Sequence, residues 1–265
     1  ANIFTGWGDV ELTNRGREEA RRAGRLLSAA GMAQIERVYT SMLKRAIKTS
    51  WLMLDEMELQ WVPVTTSHRL NERHYGELQG LEKKSCVERF GLKQVQRWRR
   101  GLYERPSAWC QTERASTVDR RYAGMQVPDS ESLFECRERV KPLLEEVHRA
   151  AADAISRASD ATTIGSAEYE APSLVVVASE NVIRALVWEL EQVPESDVPL
   201  LDIPYSIPLV YQLDSKLQPL PAPAAFSSPP LRCGWYMGDP QRVRAVQREV
   251  HDSVAGRDPG APLQE

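Results

Sequence analysis

The chain is poor in the features that would place it in a special class. Four of its 265 residues are cysteine, and Cys86, Cys110, Cys136 and Cys233 are scattered with no CxxC spacing. That pattern argues against a disulfide framework or a zinc site and fits reduced thiols in a cytoplasmic protein. No apolar run approaches the roughly 20 residues of a membrane-spanning helix, no signal-peptide pattern is visible, and no membrane partner is expected. Charge of one sign is also lacking. A net charge of −3 argues against general nucleic-acid binding, so any arginine cluster is a local feature. Histidine is scarce, with only His68, His74, His148 and His251.

What remains is ordinary for a globular protein: 42% hydrophobic and 27% charged residues, enough for one large domain with a substantial core. Strand and helix patterns alternate. Thr13 is a good N-cap for a helix over residues 14–30 with Leu26 and Leu27 inward, and Gly31 is its natural stop. Residues 38–40 read as a short buried strand, 43–57 as a helix carrying Lys44, Arg45 and Lys48, and 61–65 as a strand. Short helices follow at 83–90 and 94–100, then a long one over 131–158. The run LVVVA at 174–178 is the clearest strand, with the continuous apolar character of a strand covered on both faces. A helix at 181–190 and a strand at 209–213 follow. The alternation implies an α/β fold, a mostly parallel sheet with helices on both faces. It forms a single domain over 1–252, with low-complexity loops at 159–172 and 220–230 and a disordered tail at 253–265.

In such sheets, ligands bind at the carboxyl ends of strands near helix N-termini. Two segments hold that position: SMLKR at 41–45, where Arg45 would meet an anion, and ASEN at 178–181. The richest charged segment is LNERHYGELQGL at 70–81, followed by WRRG at 98–101. It sets the Glu72 carboxylate among Arg73, Tyr75, Lys83, Arg99 and Arg100. Guanidinium forks grip carboxylate and phosphate oxygens two at a time, and a glutamate among them can move a proton on an anionic substrate. The plainer alternative is a solvated helix face.

These segments, together with FTGWGDVELTNRG at 4–16, SMLKRAIKT at 41–49 and IPLVY at 207–211, resemble cofactor-dependent phosphoglycerate mutase, of the histidine phosphatase superfamily. The similarity runs from about residue 2 to 238. It implies interconversion of 3-phosphoglycerate and 2-phosphoglycerate through a phosphohistidine, primed by 2,3-bisphosphoglycerate, with no metal. Residue by residue, it implies that Glu72 is the proton donor and acceptor and that Arg45 holds the transferring phosphoryl group, with Asn181 beside it. Thr5, Gly6, Tyr75, Lys83, Arg99 and Arg100 would hold the rest of the substrate, alongside Arg73 and His74 of the same motif. A homodimer is a further implication.

The resemblance also implies two histidines that these residues do not supply. One belongs to an Arg-His-Gly-Glu motif ending a central first strand that would precede residue 1, so the sequence reads as a fragment or processed product. The other belongs to an Ala-His-Gly-Asn pattern that here reads Ala178-Ser179-Glu180-Asn181. Ser179 suits an N-cap better than a nucleophile, because no base stands near it. Glu180 suits a helix start, but a like charge about 4 Å from a phosphoryl group costs on the order of 4 kcal/mol at an effective dielectric near 20. The favoured expectation is therefore an impaired mutase, a pseudoenzyme that keeps a phosphoglycerate-like anion as its partner. An active mutase completed by an upstream strand and a non-catalytic interaction scaffold are the alternatives.

Overall fold

The computed structural model describes residues 2–109, 119–163, 172–226 and 228–252. Its centre is a three-stranded parallel sheet. Strand β1 (Ile35–Thr40) lies between β2 (Val64–Thr66) and β3 (Ser173–Val177). Parallel neighbours need crossovers, and helices supply them: α2 (Lys44–Glu56) joins β1 to β2, and the long α5 (Leu133–Thr163) precedes β3. Opposite Ser173 and Leu174 the β1 register shifts between Ile35 and Arg37, a bulge that puts Ile35 on the same side as Val38. That side packs on α1 (Asn14–Ala29) and α2 through Leu27, Met53 and Leu54, while Tyr39 faces the larger core formed with Leu133, Val140, Val182 and Trp188. The fold is α/β with helices on both faces, as the alternation of elements implies.

Local chemistry explains where elements begin. Thr13 Oγ1 accepts from Gly16 N at 3.0 Å and starts α1. Gly24 lets α1 approach α2, since a Cβ there would lie 2.6 Å from the Met53 carbonyl oxygen. The long helix starts at Leu133 rather than at 131, because Ser132 and Glu135 form a reciprocal capping box. It also runs to Thr163, so the first part of the expected 159–172 loop is helical. Residues 164–171 and the tail at 253–265 lie outside the described residues.

Three further expectations change. The strand expected at 61–65 is β2 at Val64–Thr66, because Pro63 cannot donate to a ladder; its carbonyl accepts from Val38 N, and Trp61 is 74% exposed. The strand expected at 209–213 is only β4 (Leu209–Val210), paired antiparallel with β5 (Trp235–Tyr236) in a second small sheet. The apolar β3 is half-buried rather than enclosed. Helices cover its faces, but it pairs only with β1 among the described residues. The α6 helix begins at Glu180 (Glu180–Glu191), and a final helix α7 (Pro240–Asp252), unanticipated from the sequence, starts with proline at its first position. Between α2 and α5 lie α3 (Lys83–Phe90) and α4 (Leu92–Arg100), which share a small core of Phe4, Tyr75, Leu78, Cys86 and Val95.

Candidate functional site

The carboxyl ends of β1 and β3 converge, as expected, on two loops that precede helices. Beyond β1, Leu43 caps α2 without a side-chain bond, and Asp9 supplies the missing acceptor: its Oδ1 takes the Lys44 amide at 2.8 Å. Arg45, one residue on, donates to the carbonyl oxygens of Gly6 at 2.8 Å and Gly8 at 2.9 Å. Gly6 makes this approach with φ +47°, a conformation that favours glycine, and a Cβ there would collide with the Gln79 side chain. The 2–9 segment is thereby fixed over the site, and Lys83 N also bonds Asn2 O at 2.9 Å.

Glu72 lies beneath, 8% exposed, accepting the Arg73 amide at 2.6 Å. Burial pushes its carboxyl above the usual range; the Arg73 amide and the Arg45 charge oppose this, while the Glu180 charge adds to it. Arg73 is fully buried. Its guanidinium lies 4.6 Å from the Tyr75 ring centroid and donates to Trp98 O, while Nε and Nη1 make no hydrogen bond among the described residues. Burial lowers the Lys83 ammonium to about 8, helped by the Arg99 charge. Tyr75 Oη accepts from Asn181 Nδ2 at 2.9 Å, joining this loop to the start of α6.

At the end of β3, Ser179 is the N-cap residue of α6 but makes no side-chain cap bond. Glu180 turns to Arg184, whose Nη2 donates to its Oε1 at 2.5 Å. Arg184 also donates to Asn181 Oδ1 at 2.7 Å and Leu201 O at 3.0 Å. Burial alone would raise the Glu180 carboxyl, but Arg184, Arg99 and Arg100 outweigh it and hold the group below its ordinary value. Glu180 is therefore an ionised carboxylate at the start of α6, its side chain 16% exposed.

Of the residues singled out in the sequence, Gly6, Arg45, Glu72, Arg73, Tyr75, Lys83, Arg99, Glu180 and Asn181 meet in one place. Arg100 belongs elsewhere: its fork holds Asp202 Oδ1 at 2.7 Å and the carbonyls of Pro199 and Leu201, so only its field reaches Glu180. His74 is structural. Its Nδ1 accepts from Gly76 N at 3.1 Å, and its ring sits between Trp7 and Trp109. Thr5 contributes its carbonyl to a turn with Gly8 N. Sequence reasoning missed Arg139. Its guanidinium forks onto Glu131 at 2.6 and 2.9 Å and donates to the carbonyls of His68 and Arg69, while Glu131 accepts from His74 N. This pair carries the backbone of the Glu72 loop, and only the i, i+8 spacing on the α5 approach hinted at it. Among the described residues no group of His, Cys, Asp and Glu could hold a metal ion, and no helix is long and apolar enough to cross a membrane.

Comparison with known proteins gives this site a family. The model for the histidine phosphatase superfamily (branch 1) matches residues 1–155, more than half of the chain. The chain belongs to that superfamily. Solved structures of similar fold include a mycobacterial glucosyl-3-phosphoglycerate phosphatase, at 24% identity and TM-score 0.53, with 76% of each chain covered. Mycobacterial hydrolase 2 matches at 19% identity and TM-score 0.56, over 94% of this chain and 90% of that one. The alpha-ribazole phosphatase of Shigella flexneri matches at 18% identity and TM-score 0.52, over 82% and 85%. At these identities the likeness is one of fold. This member of the superfamily places Ser179 and Glu180 at the start of α6.

Proposed function

We propose that this histidine phosphatase-fold protein binds a small phosphate monoester of the phosphoglycerate class and is impaired in phosphoryl transfer. The observation that carries the reading is the convergence of Arg45, Arg73 and Lys83 on buried Glu72; none of the three cations makes an ion pair among the described residues. Three cations gathered around one carboxylate of raised proton affinity are costly to bury unless a further anion balances them. Phosphoryl transfer depends mostly on positioning and charge stabilisation, so such a cradle supports recognition even where the acceptor group is lacking. Glu72, with its raised proton affinity, has the character of a group that exchanges a proton with a bound hydroxyl.

Hydrolysis stands beside mutase chemistry as the ancestral reaction, because two of the three solved structures named above are phosphatases. Calorimetric titration of 3-phosphoglycerate, with Lys83→Ala and Arg45→Ala as controls, tests the binding reading. Micromolar to millimolar binding that both variants weaken is expected, with no release of inorganic phosphate and no appearance of 2-phosphoglycerate by phosphorus NMR. Absence of heat at saturating ligand, or turnover at ordinary enzymatic rates, would refute it.

A further inference from the structure

The turn that carries Arg45 is held, backbone group by backbone group, from elsewhere in the chain. Met42 N donates to Asn71 Oδ1 at 2.9 Å, Met42 O accepts from Arg121 Nη1 at 2.7 Å, and Lys44 N donates to Asp9 Oδ1 at 2.8 Å. All three fastenings lead to one short element, the 3₁₀ turn Arg120–Tyr122. Asn71 Nδ2 donates to Tyr122 Oη at 2.9 Å, and Arg121 Nη1 also lies 2.7 Å from Asp9 Oδ2. A polar network satisfied in this way rigidifies the backbone it holds. Arg121 is itself occupied: Asp119 accepts from its amide and its Nε at 2.9 Å each and pairs with its Nη2. Two carboxylates therefore face this one guanidinium, whereas Arg45 makes no ion pair among the described residues.

Arg45 spends donors on the carbonyls of Gly6 and Gly8, on either side of Trp7, whose ring centroid lies 5.1 Å from that of Tyr122. Those bonds aim the guanidinium only while the 6–9 segment and the 41–45 turn keep their relative position. Asp9, at the end of the first, and Arg121 bridge the two. Resting on the phosphate-binding reading above, we infer that Arg121 is a positioning residue of the anion site: with Asp9 it locks the Arg45 turn to the 6–9 segment, so that the Arg45 fork meets a phosphate already oriented, while Arg121 itself does not touch the ligand. A donor held in place before binding costs less to order when the ligand arrives.

The test is calorimetry of 3-phosphoglycerate on the full chain and on its Arg121→Met and Asp9→Asn variants. Asparagine at position 9 keeps an acceptor for the Lys44 amide but offers Arg121 no charge. The two substitutions change the local charge in opposite directions, so a mere field effect would weaken binding in the first and strengthen it in the second. Loss of positioning weakens both, by about tenfold. In an Arg45→Lys background, whose point charge cannot span both carbonyls, neither substitution should cost more than about twofold. Glu191→Gln, at the far end of α6, should keep the affinity of the unaltered protein; a comparable loss there would reduce the effect to stability and overturn the assignment. Unchanged or tighter binding in either variant, or a loss of equal size with and without the Arg45 guanidinium, also overturns it, and one variant decides if the other fails to fold. Absence of heat from the unaltered protein overturns instead the phosphate reading, and the assignment falls with it.

Discussion

Arg184 and Glu180, one turn apart on α6, form an ion pair in which the arginine side chain is 1% exposed and the glutamate 16%. The same guanidinium holds Asn181 and the Leu201 carbonyl, so it ties the helix start to the 198–203 segment. Removing one partner of a buried pair leaves an uncompensated charge and costs about 3–5 kcal/mol. Arg184→Met should therefore lower unfolding free energy in urea by about that amount. Adding Glu180→Gln should recover part of the loss, because the stranded carboxylate is gone. Strictly additive losses in the double variant would show that the two side chains do not act as a pair.

What the sequence discloses and what it hides divide along physical lines. Period and capping are local, so α1, α3, β1 and the positions of Arg45 and Asn181 at strand ends are legible from the residues alone. The meeting of Glu72 with Arg45 and Lys83 follows from motif order and strand-end geometry. Hidden were the relationships that depend on which of several arginines faces which carbonyl. Arg99 and Arg100 are adjacent in sequence, yet helical geometry sends Arg100 to Asp202, 102 residues away. Glu180 is another such case. Its charge suits a helix N-terminus and conflicts with a phosphate, and only the buried Arg184 below it decides how both demands are met. The half-exposed flank of β3 was likewise invisible, because apolar composition reports covered faces and says nothing of edges.

Glu191 closes α6 as Glu180 opens it. Its carboxylate accepts the Tyr211 hydroxyl at 2.8 Å and the amides of Arg232 and Gly234 at 2.8 and 2.9 Å, holding the β4–β5 sheet to the helix end. Glu191→Gln keeps the shape but turns an NH2 towards groups that themselves donate. A loss of about 1–3 kcal/mol is expected. Hydrogen exchange should quicken at residues 209–211 and 232–236 while β1 stays protected. Uniform acceleration across both sheets would count against a local fastening.

Arg139 supports Glu72 through the backbone, its Nη2 donating to the Glu72 carbonyl oxygen at 3.4 Å. Its planar fork spans Glu131 and the carbonyls of His68 and Arg69, a geometry that lysine cannot reproduce. Arg139→Lys keeps the charge and should cost about 1–3 kcal/mol of stability. Because the Glu72 loop loses its support, affinity for 3-phosphoglycerate should also fall, by more than in an equally destabilised Glu191→Gln protein. Matching affinities in the two variants would reduce Arg139 to a general stability role.

Lys83 makes the site sensitive to pH on the alkaline side of neutrality. Burial, helped by the positive field of Arg99, brings its ammonium down to about 8, against the pull of Glu180 and Glu72. An anion binds the protonated form better, so its affinity should be fully present below about pH 8 and decline as pH rises beyond it. A bound phosphate in turn raises the proton affinity of Lys83, so binding above pH 8 should be accompanied by proton uptake, measurable as a dependence of calorimetric heat on buffer ionisation enthalpy. Lys83→Met should bind more weakly at pH 7 and show a flat profile between pH 7 and 9.5, where the phosphate itself is fully ionised. A decline that persists unchanged in Lys83→Met would move the titration to another group, and Lys83 would then have no part in holding the anion.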